Sequence, residues 1–397
     1  MQILQPRNRK ELKELMRDIK VDPCGIEIML PKATHYLVKI NSLSNIAANI
    51  LKQEMLSFGG DVAIARDALT GKVLKTDCLL MGNLAQFNRL CEKLNKQPFG
   101  LNKLARELSD NLASYQKQEF VMDLGRYKLS LKHNKTYIMG IVNLTPDSFS
   151  GDGLYKAQMD KITGYIENMV KDGADIIDIG GESSRPGAKS VSIKEELKRT
   201  IPVIKKIAGK IKVPVSIDTS KPEVARQALD CGAVLINDVT GLNTKMAKIA
   251  AKYKAGAVIM HMKGSPRTMQ ENPSYNCLID EITGYLSGAI NNAVDLGVDR
   301  EKIIIDPGIG FGKTVRHNLE ILRSLNELKI LGRPILVGPS RKCFIGKILN
   351  APVGERVFGT VSASILAANN GASIIRVHDV KAVKQAIRIM NSVNMPA

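Results

Sequence analysis

Eight short, almost wholly apolar runs, each followed by a stretch of helical periodicity, predict an α/β chain: a (β/α)8 TIM barrel behind a small α+β domain. The runs are β-branched and apolar at nearly every position, the pattern of parallel strands buried on both faces. Together the eight units fill about 260 residues, the size of one such barrel. The 397-residue chain therefore leaves room for one further small domain. The predicted division is 1–120 for an N-terminal domain of unassigned role, 121–135 for a connection, and 136–397 for the barrel.

In chain order, residues 9–19 and 45–58 have the apolar spacing of amphipathic helices. Residues 61–72 read as a turn, 79–81 as a short strand, and 84–94 and 101–112 as helices. No chemical motif stands in this region; His35 has no companions at metal-ligand spacing, so packing or oligomerisation is the expected role. The barrel strands are predicted at 137–142, 176–179, 213–217, 234–236, 257–260, 303–305, 335–337 and 374–377. Helices are expected at 193–208, at 221–229 with Pro222 in the tolerated first turn, and at 279–296. In the last, Ile279, Ile282, Leu286, Ala289, Ile290, Ala293 and Leu296 share one face. A doubly wound sheet would carry a glycine fingerprint after its first strand. Here Asn143-Leu144-Thr145-Pro146-Asp147 follows instead.

The formal charge of +18 raises the question of nucleic acid. The basic residues are spread along the chain, though, and only 4% of residues are aromatic, with no Trp to stack on bases. Small anionic substrates are the expected partners. The six cysteines form no CxxC pair and read as free thiols rather than metal ligands. Residues 1–20 are charged throughout and the longest apolar runs, such as 363–368, are too short to span a bilayer, so the reading is cytoplasmic.

Barrel active sites lie at the C-terminal ends of the strands. Those ends here are polar in every unit: Asn143; Asp178; Asp218; Asn237 with Asp238; His261 with Lys263; Asp306; Ser340, Arg341 and Lys342; Arg376, His378 and Asp379. One such Asp would be read as a helix cap; eight polar ends on one face call for a ligand. Buried carboxylates and an amide can pair with the N–H edge of a planar amino-pyrimidinone. The last and first strands become neighbours on closure, which sets Arg376 and His378 beside Asn143. Arg and His suit phosphate oxygens, and an Asn carbonyl can ligate Mg2+.

The segments that carry these residues are IMGIVNLTPDSFS (138–150), DIGGESSRPG (178–187), SIDT (216–219), IND (236–238), MHMKG (260–264), DPGIGFGK (306–313), SRK (340–342) and RVHD (376–379). In this order they resemble the dihydropteroate synthase family. The resemblance implies an enzyme that joins 6-hydroxymethyl-7,8-dihydropterin diphosphate to p-aminobenzoate, with Mg2+, as a homodimer. It assigns the pterin to Asp218, Asn237, Met260, Asp306 and Lys342. It gives the diphosphate to Asn143, Arg376 and His378, with Asn143 on the metal. Arg185, Pro186, Phe311 and Ser340 fall on the p-aminobenzoate side. Lys342, Arg376 and Asp218 are the catalytic expectations, acting by positioning and charge stabilisation without a protein nucleophile. Three departures stand out: Gly151-Asp152-Gly153 replaces Asp-Gly-Gly, which leaves Asp147 and Asp152 as alternative loop carboxylates; Ser184 replaces Thr; and Pro339 precedes Ser340. A pterin-binding methyltransferase acting on a corrinoid, or a non-enzymatic pterin-binding protein, would have no need of the SRK and RVH anion set.

Overall fold

The computed structural model describes residues 1–6, 8–132, 135–144, 155–182, 191–264 and 268–394. The chain divides into two compact units, Met1–Ala113 and Ser114–Ala397.

The first unit is built on a three-stranded antiparallel sheet, β1 (His35–Ser44), β2 (Asp61–Ile64) and β3 (Lys75–Asn83), in the order β1-β3-β2. Helices Asn45–Ser57, Leu84–Leu94 and Leu101–Tyr115 contribute to its core, where Leu51, Met55, Leu80, Phe87, Leu90 and Leu101 are fully buried. Helix Leu84–Leu94 starts at a capping box in which Asn83 and Gln86 satisfy each other's backbone amides. Cys78 and Cys91 are buried within this core. Where a turn is expected at 61–72, the chain instead forms β2 and a single helical turn, Arg66–Leu69. The four-residue strand shows no alternation long enough to register in sequence; its pairing with β3 fixes it.

The second unit opens with a hairpin, β4 (Glu119–Leu124) and β5 (Tyr127–Lys132), in a region expected only to connect. Eight parallel strands follow among the described residues. They are β6 (Tyr137–Asn143), β7 (Ile176–Gly180), β8 (Val215–Asp218), β9 (Leu235–Asp238), β10 (Gly256–Met260), β11 (Ile303–Asp306), β12 (Leu336–Val337) and β13 (Ile374–Val377). Their order is β11-β10-β9-β8-β7-β6-β13-β12. A parallel bridge between Ile305 and Ile335, with Ile305 N donating to Pro334 O at 3.0 Å, closes the ring between β11 and β12. The sheet is thus the expected barrel. Among the described residues no helix is long and apolar enough to cross a membrane.

Alternate residues of each strand face the barrel interior. The lower interior layer holds Met139, Ile176, Leu235, Val258, Ile304, Leu336 and Ile374. Met122, Leu124, Leu129 and Leu131 of the hairpin pack onto that layer, so the hairpin plugs the end of the barrel where the strands begin. Each such side chain contributes about 1.5–3 kcal/mol by burial. Two residues further along each strand the same parity presents Asp178, Asn237, Met260, Asp306 and Arg376 at the other end.

Candidate active site

The strand period selects the site. Asp218 follows inward-facing Ser216 by two residues, Asn143 follows Ile141, and His378 follows Arg376. The floor is a buried charge cluster. Arg376 Nε donates to Asp178 Oδ2 at 2.6 Å and its Nη2 donates to Asp218 Oδ2 at 2.5 Å. Asn237 Nδ2 donates to the same Asp178 oxygen at 2.9 Å. Asp178 is completely buried, while the side chains of Asp218 and Arg376 keep 10% and 18% of their surface open to the mouth.

This environment shifts Asp218, Arg376, Asp306 and Lys342. Burial raises the Asp218 carboxyl to about 7, against the opposing pull of Arg376 and with help from Asp178 and Glu196. Burial works against the Arg376 charge, but Asp178 and Asp218 overcome it and raise its proton affinity. Burial also raises Asp306, which Lys342, the Gly308 amide and Lys313 oppose. Gly308 N donates to Asp306 Oδ1 at 2.7 Å. Lys342 is pushed down to about 8 by burial, against the attraction of Asp306. Its Nζ donates to Ile309 O and lies 4.6 Å from the centre of the Phe311 ring. Met260, Met269 and Phe311 form an apolar cluster at the mouth.

The DPGIGFG loop can approach so closely because of its glycines. A Cβ on Gly308, at φ +72, would sit 1.9 Å from His261 O; one on Gly312, at φ +64, would sit 2.4 Å from Lys263 O. Lys313, buried, pins this loop: its Nζ donates to Phe311 O at 3.0 Å and to His261 Nδ1 at 2.9 Å. Burial lowers Lys313 to about 7, and burial with the Lys313 charge lowers His261 to about 3. His261 is therefore a neutral acceptor inside the packing, with Tyr285 edge-on at 5.0 Å.

At the β13/β6 seam, Asn143 Nδ2 meets His378 Nε2 at 3.3 Å, and Ser340 Oγ lies 3.0 Å from His378 Nδ1. His378 N also donates to Ser340 Oγ at 3.2 Å. Arg341, left-handed at φ +55, pairs with Asp379 and serves the loop's structure. Beneath the β7 end, Lys221 bridges Glu182 and the buried Glu196, the latter at 2.5 Å.

Asp218, Asn237, Met260, Asp306, Lys342, Arg376, Asn143, His378, Phe311 and Ser340 thus all stand at one end of the barrel. Arg185, Pro186, Asp147, Asp152 and Ser184 lie outside the described residues. Sequence reading gave no role to Asp178, the shared acceptor, or to Lys313. The signal for Asp178 was its parity: it follows Ile176 by two, as Asp306 follows Ile304. Lys313 offered no such signal, because it lies on a loop.

Residues 139–378 match the pterin binding enzyme family, and the chain belongs to it. Within that family it stands with the dihydropteroate synthases, transferases of folate biosynthesis. The dihydropteroate synthase of Synechocystis sp. is 49% identical over 261 residues, covering 65% of this chain and 90% of the relative. A probable bifunctional folylpolyglutamate synthase/dihydropteroate synthase from Halobacterium salinarum is 39% identical over 381 residues. That match takes in 96% of this chain, its first unit included, and 45% of the relative. The Xanthomonas albilineans dihydropteroate synthase solved with 4-aminobenzoic acid matches with a TM-score of 0.65 and 38% identity, covering 70% of this chain and 100% of that one.

Proposed function

We propose that the barrel condenses 6-hydroxymethyl-7,8-dihydropterin diphosphate with p-aminobenzoate, giving 7,8-dihydropteroate and diphosphate. The observation that carries this reading is the buried Asp178–Arg376–Asp218 cluster beside Asn237, Asp306 and Lys342 at the mouth. Asp218, Asn237, Asp306 and Lys342 hold the pterin edge, and Met260 packs against the ring. Buried carboxylates also favour the partial positive charge that the ring shares with its methylene as the C–O bond to diphosphate breaks. Arg376, His378 and Asn143 hold the departing diphosphate. The amine nitrogen of p-aminobenzoate then bonds to that methylene and loses a proton. Phe311 and Ser340 are the acceptor side, and we assign Arg185 and Pro186 to the same substrate.

Mg2+ fits the donor set. A Cβ placed on Gly180 would lie 3.6 Å from Asn143 Oδ1 and 3.7 Å from Asp218 Oδ2, so both oxygens border the same small space at these strand ends. Mg2+ is commonly held by one or two protein oxygens plus substrate phosphates. Asn143 is the ligand we assign; when bound, the ion neutralises charge on diphosphate. The exposed apolar residues Ile348, Leu349, Phe358 and Leu366 support a homodimer built on this face.

The test is diphosphate release. Release should require both substrates and Mg2+, and sulfonamides should compete with p-aminobenzoate. Lys342→Ala should lower kcat/KM on the order of a hundredfold or more. Release without p-aminobenzoate, or full turnover by that variant, would overturn the reading.

A further inference from the structure

We infer that Asp178 is a positioning residue that lets Arg376 give up Asp218 to the pterin ring and turn to the diphosphate; the inference rests on the function proposed above. In the free protein Arg376 spans two carboxylates. Its Nε donates to Asp178 at 2.6 Å, and its Nη2 donates to Asp218 at 2.5 Å. The two ends differ in kind. Asp178 is sealed inside the barrel, and its Oδ2 also receives the Asn237 amide at 2.9 Å. Asp218 faces the mouth, where the ring must bind. The carboxylate that should receive the pterin edge is thus occupied by the cation that should receive the diphosphate.

A guanidinium has the geometry to resolve this conflict. Its donors form a rigid fork, so Nε can stay on one acceptor while the far nitrogens change partner. Nε on Asp178 is the pivot, and Nη2 is the arm. The pterin ring competes with the arm for Asp218, and diphosphate draws the arm away. Each half of the substrate therefore helps the other to bind, and by linkage the effect is reciprocal. Asp178 gives the arm's cation a second carboxylate when Asp218 is taken. Its other oxygen, Oδ1, has no partner among the described residues, so nothing else holds this carboxylate there but Arg376 and Asn237.

The experiment is calorimetric titration of 6-hydroxymethyl-7,8-dihydropterin into the full chain, with and without saturating inorganic diphosphate and Mg2+. In the wild type, diphosphate should tighten pterin binding on the order of tenfold. Asp178→Asn keeps an oxygen for both donors but removes the charge. Pterin alone should then bind about tenfold more weakly than to wild type, and diphosphate should restore most of that loss. Arg376→Lys, a point charge without the fork, should reduce the coupling to near one. Damage to the fold alone would weaken pterin binding equally in both conditions, and that result in Asp178→Asn overturns the inference. So does wild-type pterin affinity unchanged by diphosphate, a measurement that needs no variant. A wild-type chain that binds pterin and turns over yet shows no coupling defeats only this inference. A chain that binds no pterin defeats the function on which it rests.

Discussion

Replacing Arg376 with Met, close in length but uncharged, isolates what the guanidinium does for the fold. The substitution leaves Asp178, with none of its surface exposed, and Asp218, with a tenth exposed, without the cation that bridges them. Removing one partner of a buried pair costs about 3–5 kcal/mol. At roughly 2 °C per kcal/mol for a domain of this size, the melting temperature should fall by about 6–10 °C at pH 8. The loss should depend on pH with a definite sign. Asp218 already has a raised proton affinity, which Arg376 holds in check; without Arg376 it rises further. A carboxyl raised above its unfolded value destabilises the fold progressively as pH climbs from the unfolded value towards the folded one. The deficit should therefore shrink at pH 5.5, where Asp218 takes a proton, and grow towards pH 8. Adding Asp178→Asn should recover at least about 1 kcal/mol. Thermal unfolding of the single and double variants at the two pH values reads all of this. A loss below about 1 kcal/mol at pH 8, or an equal loss at both pH values, would show that Arg376 does not offset the two carboxylates.

Other parts of the account are open to equally direct checks. Met122→Ala, at a fully buried position in the hairpin plug, should cost about 2–5 kcal/mol by denaturant titration and leave both KM values unchanged; a cost under 1 kcal/mol would mean that the barrel end closes without the hairpin. Pterin affinity should peak between about pH 7 and 8, because Asp218 must lose its proton near 7 while Lys342 must keep its own near 8; a flat calorimetric profile from pH 6 to 9 would contradict those roles. Lys313→Met removes the donors to Phe311 O and His261 Nδ1, so the KM for p-aminobenzoate should rise about tenfold with kcat nearly unchanged. An unchanged KM would show that Lys313 does not set the Phe311 loop.

The barrel was legible because its signals are local and repeated. Eight buried strands must be apolar on both faces, and polar residues such as Asp218 and Asp306 can stand only where a strand reaches the mouth. The site residues on strands share one parity, so sequence spacing alone groups them. What stayed hidden depends on partners far away in the chain. The hairpin at Glu119–Lys132 does alternate, strictly so over Tyr127–Lys132, but two short strands carry little stability of their own, and what fixes them is the barrel end they cover. Strand β2 exists through its pairing with β3. Asp178 looked like one strand-end carboxylate among several until Arg376, 198 residues later, closed on it. Lys313 reads in sequence as an ordinary loop lysine; only its burial against His261 shows otherwise.

A crystal structure of the full chain with 6-hydroxymethyl-7,8-dihydropterin, diphosphate and Mg2+ bound together would show which side chains hold the ring and which hold the leaving group. The ring edge should lie against Asp218, Asn237, Asp306 and Lys342, with diphosphate alongside on Asn143, Arg376 and His378. A ring seated away from those four side chains, or a diphosphate held without Arg376 and His378, would contradict this arrangement.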